Sequence, residues 1–322
     1  MDYFILFFAV LCIAVQFGVN KIYQKNFARG LKDMIFFPLT CGVVNAVFFT
    51  LLSFILYGKP PEFSAFSCVM SAVLAVVGTL SALAGILVMK YGKMSVYSVF
   101  MMLGGMILPY FYGLIFLNET ISAARIAGLI ILICALPFSA AGPQEKNSGA
   151  KKTPLKFYYA LCVLIFLLNG TTSIISKTHS INISAVPAAN FIVYVNLWSS
   201  AVNGAAYFIL SRRMKSIKNP ADSQGLQDIK DAGRTESTES ESKRFRAVLT
   251  VIVYAVVSGA GFLFQLIPAK TVPAVALYPI VTGGSIVLSA VLARIFFKEK
   301  VGAPAFAGII MSLCGTSLFL IR

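Results

Sequence analysis

Two glutamates in this 322-residue chain, Glu119 and Glu299, occupy matching places and invite a reading as paired acids. Two carboxylates held within reach of one substrate can divide general acid and general base work between them. The residues around them point elsewhere. Gly104, Glu119 and Gly128 recur 180 residues later as Gly284, Glu299 and Gly308. In each copy a Gly lies inside an apolar run, a Glu closes that run, and a Gly lies nine residues further on, in the next run. A carboxylate at such a hairpin tip is placed to accept the free amides of the helix that follows, whose N-terminus favours negative charge. The lone histidine, His179, closes another apolar run beside Lys177 and reads as a surface or interfacial side chain. A proton relay is the alternative, because His titrates near neutrality. Lys90, Lys93, Lys270 and Arg294 lie near run ends and read as snorkelling cations, with a substrate carboxylate as the alternative partner for one of them.

Uncharged polar groups inside the apolar runs are the stronger candidates for binding. They include Gln16, Asn20, Asn45, Asn169, Asn190, Asn196, Asn203 and Gln265. Asn and Gln offer donors and acceptors together, which suits an amide, carboxylate or hydroxyl ligand. Hydrogen bonding between helices is the competing explanation. Tyr97, Tyr194, Trp198 and Tyr278 add flat faces that can line a cavity, as well as being residues of the kind found in interfacial belts. The substrate-binding candidates are therefore Gln16, Asn20, Asn45, Tyr97, Asn169, Asn196, Trp198, Gln265 and Tyr278. Gly104, Gly105, Gly283 and Gly284 permit close backbone approach, so the pathway is expected beside them.

These residues need membrane helices to position them. The chain is 58% hydrophobic and 12% charged, with mean hydropathy +0.84, far less charged than a soluble domain. Ten apolar runs are long enough to be read as spans: 3–20, 35–57, 66–89, 95–117, 121–140, 157–176, 186–210, 247–267, 272–296 and 303–321. Only NET separates the fourth from the fifth, which predicts a tight helical hairpin, and the ninth and tenth are similarly close. Pro109, Pro273 and Pro279 fall inside runs and mark expected kinks. Of the 27 Lys and Arg residues, 22 lie in the odd-numbered loops. By the positive-inside rule those loops face the cytoplasm and both termini lie outside, in a plasma membrane. The net charge of +15 therefore reads as orientation, with no nucleic-acid partner implied.

Acidic residues fall at run ends or in loops, which argues against a carboxylate in the middle of the membrane driving activity. Residues 211–246 are rich in charged and small polar side chains and are expected to form a disordered loop. Residues 142–156 read as a polar junction between two halves, 1–141 and 157–322. The six cysteines, at 12, 41, 68, 134, 162 and 314, have no metal-ligand spacing, and no phosphate-loop motif is present. No cofactor or metal is expected. Covalent chemistry inside a membrane would need clustered His, Asp, Glu or Ser groups, and a single His makes an enzyme a poor reading.

The duplication extends beyond the glutamates. GVNKIYQK at Gly18–Lys25 matches GTTSIISK at Gly170–Lys177 at an offset of 152, and the 28-residue difference from 180 is what the 211–246 loop adds. Five spans per half is an odd number, so the second half is expected to enter the membrane inverted. Inverted repeats allow one backbone plan to open first to one side and then to the other around a midplane site. The expected fold is thus an all-α integral membrane protein of ten transmembrane helices in two inverted five-helix repeats.

Ten spans as five plus five, Glu119 and Glu299 closing spans four and nine, and Gly128 and Gly308 nine residues later resemble the drug/metabolite transporter superfamily, EamA type. The second copy, YPIVTGGSIVLSAVLARIFFKEK, is closer to the family pattern than the first. The resemblance implies a secondary carrier of small polar metabolites, including amino-acid or related solute export, acting as a monomer or homodimer in the lipid bilayer. A membrane-embedded enzyme and a membrane scaffold without transport activity are the rival readings.

Overall fold

The computed structural model describes residues 1–27, 31–91, 94–139, 155–217, 237–297 and 302–321. Ten α-helices lie among the described residues, and no strand. They are α1 (Asp2–Asn26), α2 (Leu31–Tyr57), α3 (Ala65–Tyr91), α4 (Met94–Phe116) and α5 (Ala123–Ser139). The others are α6 (Leu155–Ile181), α7 (Ala188–Ile217), α8 (Ser237–Leu266), α9 (Ala274–Phe297) and α10 (Ala303–Leu318). A 3₁₀ turn, Pro268–Lys270, links α8 to α9.

Seven of these helices (α1, α2, α3, α4, α6, α8 and α9) are long and apolar enough to cross a membrane. Helices α5 and α10 are apolar but shorter, at 17 and 16 residues. Large apolar side chains cover the outside of the bundle. On α2, for example, Leu51, Phe54 and Ile55 are 61%, 59% and 77% exposed. A surface of this kind suits hydrocarbon and would be a liability in water. The chain is a helical membrane protein.

Local chemistry sets the helix ends. Gly58 takes φ +66 directly after α2, and its N–H bonds back to Phe54 O, a conformation that an L side chain resists. Ser64 caps α3 and Ser122 caps α5 through their hydroxyls. Pro273 immediately precedes α9, so it does not interrupt that helix; its carbonyl accepts from Ala276 and Leu277. The prolines inside helices are Pro38, Pro109, Pro137 and Pro279.

Two helices run deeper than their apolar runs into the polar segment expected as a disordered loop. Helix α7 continues to Ile217 and α8 begins at Ser237. The central part of that segment, residues 142–154 of the junction, and Glu299 lie outside the described residues.

Packing is pairwise and extensive. Helix α2 packs on α7, α5 on α10, and α4 on α9. Helix α1 packs on α8 and α9, while α6 packs on α3 and α4. The largest buried cluster joins α1, α4, α5 and α9 around Leu6, Met106, Leu132 and Leu277. Close backbone approach holds α4 on α6: a Cβ at Gly104 would lie 2.0 Å from Phe166 O, and one at Gly170 would lie 2.7 Å from Gly104 O. The same device recurs where Gly128 of α5 meets the Gly315 carbonyl of α10, while Gly284 of α9 makes room for the Val10 side chain of α1. Gly308 is buried within α10.

Candidate functional site

The best-defined polar site lies at the bundle end formed by loops 117–122, 182–187 and 267–273. Helix α4 stops because Asn118 adopts φ 50, a region Asn tolerates better than most residues. The Glu119 N–H then bonds back to Gly113 O at 3.0 Å. This turn aims the Glu119 carboxylate at the start of α9. Its Oε1 accepts the Ala274 N–H at 2.7 Å and its Oε2 the Val275 N–H at 2.9 Å. A carboxylate on two free amides of a helix N-terminus is a strong, charge-assisted cap. The position of Gly113 makes this possible, since a Cβ there would lie 2.4 Å from Glu119 Oε2.

Lys177, near the end of α6, holds the other side of the same connection. It is 3% exposed, and its Nζ donates to the carbonyls of Ala269 and Val272 at 2.8 Å each. Its Nζ also lies 3.8 Å from Glu119 Oε1. One acidic and one basic side chain from the α4–α5 and α6 regions thereby grip the α8–α9 turn, one by its amides and one by its carbonyls. Thr271 adds a third tie, donating its hydroxyl to Asp2 Oδ2 at 2.8 Å.

These positions correct two expectations. Glu119 does cap a helix, but the helix is α9, 155 residues away, and not the one that follows it in sequence. His179 is not a surface side chain. It is 2% exposed, stacked on Phe191 at 3.5 Å between ring centroids and lying parallel to Phe66 at 6.1 Å. Its Nε2 lies 3.0 Å from Ser67 Oγ, and that oxygen also accepts the Val186 N–H. His179 thus locks α6 to the first turns of α3 and α7. Ser64 to Ser184 O and Tyr194 to Glu62 O close the same end between the α2–α3 and α6–α7 loops.

The predicted substrate-binding residues separate by partner. Asn169 donates to Met101 O on α4, and Asn196 donates to Ile192 O one turn back on α7. Tyr278, 2% exposed, donates its hydroxyl to Ser173 O on α6. Gln16 donates to the Tyr254 hydroxyl at 3.0 Å, joining α1 to α8. Trp198 is 40% exposed on the outside of α7. Asn20 and Gln265 are half-buried in α1 and α8. Tyr97 belongs to α4, and its side chain is outside the described set. Asn45 stands apart. It is 5% exposed on α2, and its Oδ1 is buried without a partner among the described residues. That oxygen sits 2.8 Å from where a Cβ on Gly259 of α8 would be. The eight whose side chains are described do not converge on one pocket; Trp198 faces outward, the others are spread through the bundle, and among these eight Asn45 alone keeps a fully buried polar atom without a partner.

Sequence reasoning missed Lys177, Gly113 and Ser67 as members of this site. Lys177 had a signal: it directly follows the apolar run 157–176, where a basic side chain at the end of a span needs a partner.

No family model and no curated protein matches the sequence. Among the solved structures that share the fold, one described as "Crystal structure of protein" matches with TM-score 0.69 at 12% identity, covering 98% of this chain and 95% of its own. At that identity the likeness establishes a shared fold and nothing about activity.

Proposed function

We propose that the chain is a secondary membrane carrier of small polar metabolites, built as ten spans in two inverted five-helix repeats and working by alternating access. The observation that carries this reading is the exchange symmetry of helix packing. Replacing each helix of the first five by its counterpart five positions later maps α2–α7, α4–α9 and α5–α10 onto themselves. It also maps α1–α8 onto α6–α3 and α1–α9 onto α6–α4. A bundle with interchangeable halves has two related packings available to it, and such a bundle can expose an interior site to either face in turn.

The resemblance to the drug/metabolite transporter superfamily supports the same reading, with amino acids or related solutes as the first substrates to try. The interior offers neutral polar groups and aromatic faces suited to solutes of that kind. Under charge counting, the end closed by Glu119, Lys177 and His179 faces outside, so this packing is the one sealed on that side.

Uptake of labelled amino acids, nucleobases and sugars into proteoliposomes tests the proposal. Saturable, protein-dependent flux of at least one class is expected. Absence of flux across the whole panel, with protein shown to be folded and inserted, would overturn it in favour of a scaffold. An impermeant maleimide separately tests the orientation: a cysteine replacing Ile183, which is fully exposed in the α6–α7 loop, should be labelled from outside intact cells.

A further inference from the structure

We propose that a second, separate site at the same end of the bundle binds an oxyanion, carboxylate or phosphate, through Arg125. An open cleft of about 430 Å³ is lined by Asp2, Tyr3, Thr120, Ser122, Arg125 and Thr271, among other residues. Arg125 begins α5 and is only 9% exposed. Its guanidinium donates through Nη1 to Thr120 O at 3.3 Å, while its Nε is buried without a partner among the described residues. No described carboxylate pairs with it. Glu119, six residues earlier, is committed to α9 and Lys177. Arginine keeps its charge in proteins, so this is a buried cation with unused donors on the wall of a cleft. The Tyr110 hydroxyl is also buried without a partner among the described residues.

A forked guanidinium with free N–H groups matches the geometry of a carboxylate or phosphate, and pairing would supply the charge that the fold leaves out. Asp2 sets the limit on that ligand. One of its oxygens accepts from Thr271, and its negative charge in the same cleft opposes a second negative charge on the ligand. The two sources of such a group are a free solute and the headgroup of an anionic lipid. The site stands independently of the carrier reading, since a scaffold could hold it equally well.

The test uses the purified full-length chain in detergent. Its thermal midpoint is followed during titration with sodium acetate or sodium phosphate, against sodium chloride at matched ionic strength. A second arm compares nanodiscs of phosphatidylcholine alone with nanodiscs containing phosphatidylglycerol. A saturable rise beyond chloride is expected in at least one arm; a rise confined to phosphatidylglycerol identifies the lipid headgroup as the source. Arg125→Gln should weaken the effect by about tenfold or more, and Arg125→Lys by less. Asp2→Asn, which keeps an acceptor for Thr271, should tighten acetate severalfold, a change in the opposite direction that general damage to the fold would not produce. Thr120→Trp fills the cleft from its exposed rim with Arg125 in place, and decides the matter if Arg125→Gln does not fold. No saturable response in either arm, or an unchanged response in Arg125→Gln or Thr120→Trp, would overturn the proposal.

Discussion

Glu119 and Lys177 lie 3.8 Å apart, yet each is bound more closely to backbone than to the other. The carboxylate takes the amides of Ala274 and Val275; the ammonium takes the carbonyls of Ala269 and Val272. The four backbone groups bracket the short connection between α8 and α9, where neither helix can satisfy its own terminal N–H and C=O groups. The ion pair is thus a device for terminating two helices inside a packed bundle, with direct attraction between the charges as a secondary benefit.

Removing both members should therefore cost less than the two single removals added together. Glu119→Ala strips two charge-assisted bonds and leaves a buried ammonium without its counterion, at a cost of about 3 kcal/mol or more. Lys177→Met should cost a similar amount. The double variant Glu119→Ala/Lys177→Met leaves no buried charge, and its loss should be smaller than the sum of the two single losses. Denaturant unfolding in mixed micelles reads these values. Strict additivity would mean that the two side chains act independently and that the bracket is the wrong description.

Gly113 gives an independent handle on the same contact. A methyl group there would sit 2.4 Å from Glu119 Oε2 and 3.1 Å from Ala274 Cβ. Gly113→Ala should destabilise by about 1–3 kcal/mol, the usual range for an overpacked site. In a Glu119→Ala background the tightest contact is gone and only the Ala274 Cβ contact remains, so the same substitution should cost less than half as much. A full cost in both backgrounds would place the clash elsewhere.

How far the sequence reveals these features depends on how local their causes are. Apolar runs predict the number and order of the helices because a span is a property of one continuous segment, but α1, α7 and α8 extend about 6, 7 and 10 residues beyond their runs. Capping by Glu119 is legible, since a carboxylate at a hairpin tip has few other uses, but its partner is not, because α9 arrives from 155 residues away. The apolar run of α6 stops before Lys177 on composition alone. The helix in fact continues to Ile181, because carbonyls from a distant turn solvate the ammonium. His179 fails as a surface residue for the same reason: Phe191 and Ser67 come from other helices. Asn169 and Tyr278 look equal to Asn45 as ligands until the structure shows their bonds to helix backbone.

The glycine positions divide by what faces them. Gly104 of α4 meets the backbone of Phe166, which cannot move aside as a side chain would, with a Cβ placed 2.0 Å from its carbonyl oxygen. Gly104→Ala should force α4 and α6 apart and lower the thermal midpoint strongly. Gly78 of α3 faces open space, with nothing within 4 Å of its added Cβ. Gly78→Ala should leave stability unchanged or raise it by up to about 1 kcal/mol through helix propensity. Equal effects at the two positions would show that propensity, and not close helix contact, governs both.

Asn45 separates binding from packing among the interior polar groups. Its Oδ1 is buried beside Gly259 and Phe49 with no partner among the described residues, and an unsatisfied buried acceptor costs about 1–3 kcal/mol. Natural sequences lose such a group unless something uses it. Replacing it by leucine, which branches at the same carbon with the same number of heavy atoms, removes the cost, so Asn45→Leu should match or exceed the parent in thermal midpoint. If the oxygen accepts a hydrogen bond from a solute as it passes between α2 and α8, the same variant should lose about tenfold or more in flux, the penalty for deleting one buried polar contact. Asn169→Leu is the contrast: it breaks the bond to Met101 O and should lower stability. A stable Asn45→Leu protein with undiminished flux would remove Asn45 from the pathway.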